Sequence, residues 1–181
     1  LGYILYKGLP VLSLKFIFGK PSDIEVGGGV GPQLFNSFYI LLLSMTVSIP
    51  LAIGAGVYLA EYAKENKLTK LIRLSTESLA TVPSIVLGLF GMIIFVNFFS
   101  FGFSIIGGSL TLLLLNLPIL VRVTEESIKT VPQNYREASL ALGATKWQTI
   151  RKVVLPNALP GIITGITLTA GRALGETAIL I

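Results

Sequence analysis

Three stretches of this chain contain no Asp, Glu, Lys or Arg: Val26 to Ala60, Ser78 to Val121 and Val153 to Gly171. Nothing else in the sequence restricts the fold so tightly. A bilayer core takes roughly 20 apolar residues per helix, so the middle stretch holds two spans and the others one each. A large soluble protein can bury helices that are apolar all round, but 181 residues cannot wrap four of them in enough polar surface. Charged residues make up 13% of the chain, against about a quarter in an ordinary soluble domain. The expected fold class is therefore all-α integral membrane, one transmembrane domain over 1–181, with spans at about 33–60, 79–99, 104–121 and 157–181.

The remaining charges are sorted by connection. Segment 61–77 carries Lys64, Lys67, Lys70 and Arg73, and segment 122–152 carries Arg122, Lys129, Arg136, Lys146, Arg151 and Lys152. The turn around Phe99–Ser109 has none. The positive-inside rule places both basic connections in the cytoplasm and segment 7–32, rich in Gly and Pro, outside. The net charge of +5 then reflects topology and is no nucleic-acid footprint. With neither Cys nor His in the chain, disulfides, thiolate chemistry and the commonest metal ligand are excluded. No metal site, cofactor or catalytic residue is expected. The chain opens on Leu1 rather than Met and stops at Ile181 inside an apolar run, so both ends are expected to be cut.

Pro50, Pro83 and Pro118 interrupt three spans, and Pro160 falls in the first turn of the last. Such breaks are tolerated where neighbouring helices or cavity water satisfy the freed backbone groups. The pairs Gly54 and Gly56, Gly88 and Gly91, and Gly161 and Gly165 supply small faces, and packing is a better account of them than a pathway role.

The connection 122–156 reads as a helix pair. Asn134-Tyr135-Arg136-Glu137 and Thr145-Lys146-Trp147-Gln148 both have the form of capping boxes. Gly143 stops the first helix and Pro156 the second. Ala138, Ser139, Ala141 and Ala144 are small enough to let another surface approach. This is a docking element. Basic helix–turn–helix units also bind DNA, but this one has no third helix and feeds straight into a span.

Inside the last span, Arg172 and Glu176 stand four residues apart, where one helix face presents both. Arg172 is about 22 Å along the axis from Asn157 at 1.5 Å per residue. A charge at membrane depth usually lines a polar pathway, the alternative being a self-neutralising pair that fixes packing. Arginine's fork suits phosphate or sulfate oxygens, and a carboxylate beside it limits how tightly an anion is held. Ser84 and Asn116 are weaker pathway candidates, more often satisfied by neighbouring helices than by cargo.

Glu137-Ala138-Ser139, then Gly143, then Val153, Leu155 and Pro156 keep the spacing of the EAA loop of ABC importer permeases, with Ser139 and Val153 in place of the usual Ala and Ile. Leu117-Pro118-Ile119, Val131-Pro132, Gly171 through Thr177, Val82 through Gly91 and Leu59 through Ala63 extend the likeness over essentially the whole chain. On these residues the sequence resembles the phosphate-specific permeases, in particular the A-type of two sister subunits. The resemblance implies a type I ABC importer permease, a MetI-like helical bundle of six spans, of which about four full ones are present here. It implies a permease subunit in a prokaryotic inner or plasma membrane, forming half of the translocation pathway for inorganic phosphate. The implied partners are a sister permease subunit, a dimer of cytoplasmic ATP-binding subunits, an extracytoplasmic phosphate-binding protein and membrane lipid, with no nucleic acid. Glu137, Ala138, Ser139, Gly143, Ala144, Leu155 and Pro156 would couple to the ATPase. ATP hydrolysis would reside in that partner, since the chain has no P-loop lysine motif. Another oxyanion (phosphonate, sulfate or molybdate) and an ion-coupled secondary transporter stay open as alternatives.

Overall fold

A computed structural model describes residues 2–9, 12–21 and 28–176, to which all structural statements refer. Among these, every regular element is a helix. Two short helices come first, α1 (Gly2–Gly8) and α2 (Leu14–Phe18). Ser13 caps α2 by accepting from the Phe16 amide. Next, α3 (Gly31–Val57) runs on through a π-wound turn, Tyr58–Tyr62. After it come α4 (Lys67–Thr81), α5 (Ser84–Gly91) with a π-wound continuation Met92–Phe98, and α6 (Ile105–Lys129). The chain closes with α7 (Gln133–Ala141), α8 (Lys146–Thr149), a π-wound turn Ile150–Val154 and α9 (Leu155–Gly175).

Three continuous helical segments are long and apolar enough to cross a membrane: Gly31–Tyr62, Ile105–Lys129 and Lys146–Gly175. A fourth passes only as a bent pair, α4 with α5 and its continuation, folded through 100°. Proline sets that bend. The residue before a proline is driven out of the helical region, and Val82 is extended at ψ 133°. The run expected as one span at 79–99 therefore starts in the last turn of α4 and turns this corner. The basic connection before it is itself helical, started by Asn66, which accepts from the Thr69 amide at 2.8 Å.

Packing follows small residues. The buried face of α3 includes Ser44, Ser48, Ala52 and Gly56, one per turn, so α6 lies close against it. A Cβ on Gly56 would stand 2.6 Å from Thr124 Cβ. The same intimacy joins α9 to α6, where a Cβ on Gly165 would meet Val123 Cγ1 at 2.3 Å and one on Gly161 would meet Ser127 Oγ at 2.6 Å. Gly91 is likewise closed off by Thr111. Gly54, by contrast, has nothing within 4 Å of its added Cβ. Two apolar clusters fill the interior, one including Leu41, Leu112, Leu115 and Leu120, the other Val57, Ile128, Val154 and Ile162.

Two proline expectations are corrected. Pro156 does not end the helix of Lys146, and Pro160 is not in the first turn of a new one, because α8 and α9 form one continuous segment. A proline inside a helix clashes with the carbonyl four residues back. Here the turn before Pro156 is widened, with the Leu155 amide donating to the Ile150 carbonyl. Asn157 Nδ2 then donates to the Val153 carbonyl at 2.6 Å. The π turn makes room for the ring, and a side chain supplies a neighbouring donor.

Candidate functional site

The α7–α8 element is built from one expected cap and one that fails. Thr145 Oγ1 accepts from the Gln148 amide at 3.3 Å while Gln148 Oε1 accepts from the Thr145 amide at 2.9 Å, a complete capping box. The box expected on Asn134 and Glu137 does not form. Pro132, with its preset φ, occupies the cap position and starts α7 at Gln133 without a side-chain cap. Asn134 is thereby inside the first turn and Glu137 is left exposed. Gly143 turns the chain at φ +85°, a left-handed conformation that glycine adopts without strain. Its amide donates to Leu140 O, and the Ala144 amide donates to Ser139 O.

Several large apolar side chains of this element are exposed. Leu142 at the turn is 90% exposed, and Tyr135, Leu140 and Trp147 are also exposed. Glu137 and Ala138 are exposed as well, and Ala144 is half-buried. Ser139 faces the other way, its hydroxyl 2.9 Å from that of Thr149, so it joins α7 to α8 rather than opening space for a visitor. Leu155 is half-buried and Pro156 exposed, both already inside the long helix of α9.

Sequence reasoning missed the cations that converge on the end of α3. Arg136 binds Glu61, the Ile128 carbonyl in the last turn of α6 and the Val131 carbonyl just past it; Lys146 donates to the Glu61 carbonyl and lies 4.6 Å over the Tyr62 ring. Arg73 of α4 reaches Glu125 at 2.8 Å, Glu65 at 2.9 Å and the Leu59 carbonyl at 3.2 Å. The Arg73 guanidinium holds the Glu65 carboxyl below the usual carboxylate range by hydrogen bonding and charge. Their one visible signal was Glu61, a lone acid closing a charge-free run.

At the opposite end of α9, Arg172 and Glu176 meet. Arg172 occupies the last turn, where the helix dipole favours a cation, and Glu176 follows with extended backbone. Thr177 and the expected end of the last span lie outside the described residues. Ser84 is the half-buried first residue of α5, directly after the Pro83 bend. Asn116 is fully buried, and neither its Nδ2 nor its Oδ1 has a partner; the Ser44 hydroxyl is also unpartnered. Ile40 faces Ser109, and Gly56 faces Thr124, which sets Asn116 level with Ser48 and one turn from Ser44. The expectation that neighbouring helices satisfy Asn116 is therefore not met. Of the four pathway candidates, only Arg172 and Glu176 are brought into contact.

Residues 52–181 match the family described as binding-protein-dependent transport system inner membrane component. The probable ABC transporter permease protein YqgI of Bacillus subtilis (strain 168) is 51% identical over 179 residues, 99% of this chain and 61% of that protein. The phosphate transport system permease protein PstA of Xylella fastidiosa (strain 9a5c) is 38% identical over 178 residues, 98% of this chain and 62% of that protein. PstA of Yersinia pestis is 39% identical over 176 residues, 97% and 59%. The chain thus spans about three fifths of the length of these curated relatives. Among solved structures, an inward-facing MetNI methionine ABC transporter superposes with a TM-score of 0.72 at 25% identity, covering 81% of this chain and 70% of that one. An amino acid ABC transporter superposes at 0.64 and 19% identity, covering 97% and 73%, which shows the fold alone. An all-helical bundle with broken, glycine-packed spans and a match over most of its length leave one assignment: the chain belongs to the inner membrane components of binding-protein-dependent transport systems, the multi-pass permeases of prokaryotic ABC transporters.

Proposed function

We propose that this chain is a transmembrane permease subunit of an ATP-driven importer for inorganic phosphate. It forms one half of the translocation pathway, with a sister permease completing it. An extracytoplasmic binding protein delivers the anion, and a pair of cytoplasmic ATP-binding subunits seats on α7 and α8. ATP-driven closure of that pair moves the docking element and rocks the spans between inward- and outward-open states. Arg172 offers the anion a transient positive contact, and Glu176 competes for the guanidinium so that the contact is brief. The observation that carries the cargo is the contact of these two charges at 3.3 Å in the last described turn of a span. The phosphate permeases among the relatives support the same reading.

The exposed Glu137, the glycine turn at Gly143 and the bare Leu142 support the docking role. Labelled-phosphate uptake by the complete transporter, with unlabelled oxyanions as competitors, tests the cargo. Phosphate should compete, while sulfate, molybdate and phosphonate at equal concentration should not. Competition by sulfate or molybdate instead would assign a different oxyanion. Uptake that persists after deletion of the ATPase subunit would make the chain an ion-coupled carrier and overturn the proposal.

A further inference from the structure

Arg136 sits on the helix that presents the docking surface, yet its side chain is only 14% exposed and points back into the bundle. Its Nε donates to Glu61 Oε1 at 2.9 Å, and its Nη2 lies 2.8 Å from the same oxygen. Nη2 also donates to the Ile128 carbonyl at 2.9 Å, and Nη1 donates to the Val131 carbonyl. Ile128 is in the last turn of α6, and its carbonyl otherwise accepts only a long 3.3 Å bond from the Val131 amide. One guanidinium therefore closes the end of α6 and holds the acid that ends α3. The Glu61 side chain is 10% exposed, so the pair is shielded from water.

A second cation doubles the connection. Lys146, the first residue of α8, donates to the Glu61 carbonyl and covers the Tyr62 ring. Both cations land on the π-wound turn Tyr58–Tyr62, within the last carbonyls of α3, which have no helical partner. Beneath them Val57, Ile128, Val131 and Ile150 pack together. Apolar packing of this kind is non-directional and permits sliding. A forked guanidinium with four short contacts is directional and fixes register. A cleft of about 610 Å³ opens beside Glu61, Arg136 and Lys146, so the polar contacts are not enforced by close packing on that side.

We propose that Arg136 and Glu61 are the mechanical link that converts displacement of α7 and α8 into movement of α3 and α6. Both are positioning residues, and neither touches cargo. This rests on reading α7 and α8 as the docking element, but it does not depend on which anion is carried.

Truncating Arg136 would strip the shielded Glu61 carboxylate and the Val131 carbonyl of the guanidinium that binds them, so conservative variants are the proper test. Arg136→Lys keeps the charge but cannot span the acid and both carbonyls. Glu61→Gln keeps the shape and removes the charge. In the assembled, otherwise cysteine-free transporter, one reporter is placed at Asn134→Cys on α7 and another at Leu34→Cys near the far end of α3. Maleimide labelling rates are compared with and without ATP–vanadate trapping, and co-purification of the ATPase subunit records assembly. With the native pair, trapping should change the rate at both reporters. In either variant the response at Asn134→Cys should persist while that at Leu34→Cys shrinks by roughly fivefold or more. A Leu34→Cys response that survives in both variants overturns the link. Absence of any response at Asn134→Cys with the native pair overturns the docking reading and the link with it. Normal responses with no phosphate uptake would sink only the cargo reading and leave the link standing.

Discussion

Arg172 Nε lies 3.3 Å from Glu176 Oε1 across the last turn of α9, with the arginine side chain 44% exposed and the carboxylate 16% exposed. The acid is the more sheltered partner, and among the described residues the guanidinium engages it through Nε alone. Replacing Arg172 by Ala should lower phosphate uptake by about tenfold or more, about 1.4 kcal/mol in the barrier, with the ATPase subunit still co-purifying. Glu176→Gln should act differently: without its competitor the anion is held longer, and KM and the maximal rate should fall together. Uptake kinetics on the two variants decide this, and unchanged uptake in Arg172→Ala removes the residue from the pathway.

Gly143 has φ +85° but open space around its missing side chain, so only backbone strain opposes substitution. Gly143→Val should cost about 1–2 kcal/mol, and Gly143→Asn clearly less, since Asn visits that region more readily. Co-purification of the ATPase subunit should fall in the order Gly, Asn, Val. Equal retention by Asn and Val would show that the turn is not held in its left-handed form.

Gly54 and Gly56 are two residues apart and should respond in opposite ways. Gly56→Ala forces a Cβ against Thr124 and the Glu125 backbone and should destabilise the protein by about 1–3 kcal/mol. Gly54→Ala meets nothing and should be neutral or gain up to about 1 kcal/mol from helix propensity. Thermal denaturation of the solubilised transporter reads both.

Asn116 is fully buried with its amide unpartnered. An unmet buried polar group costs about 1–3 kcal/mol, so Asn116→Leu should raise thermal stability. If Asn116 serves the pathway, uptake should drop in the same variant. A less stable Asn116→Leu would mean that the amide finds a partner in the assembled transporter.

What could be read beforehand were features set within a few residues. The charge-free runs announced apolar helices because a membrane helix must be apolar along its whole length. Thr145 with Gln148, Gly143, and Arg172 with Glu176 each needed only three- or four-residue spacing. The first capping box misled because Pro132 competes locally with Asn134 for the start of α7. Gly54 and Gly56 look alike in sequence, and only the approach of α6 separates them. Arg136 and Glu61 were out of reach for a plainer reason: their contact spans 75 positions in the chain, and nothing local in either residue names the other.

The unbroken passage from Lys146 through Pro156 to Gly175 has a geometric consequence. Thirty residues of helix extend about 45 Å at 1.5 Å per residue. On the proposed docking role, α8 joined end-on to a span is the driven end of a rod that crosses the bilayer. A tilt of about 10° applied at Lys146 would carry Arg172, about 39 Å further along, sideways by roughly 7 Å. The stroke is thus set by covalent length, and the π turn at Ile150–Val154 is the place where that stroke could be softened.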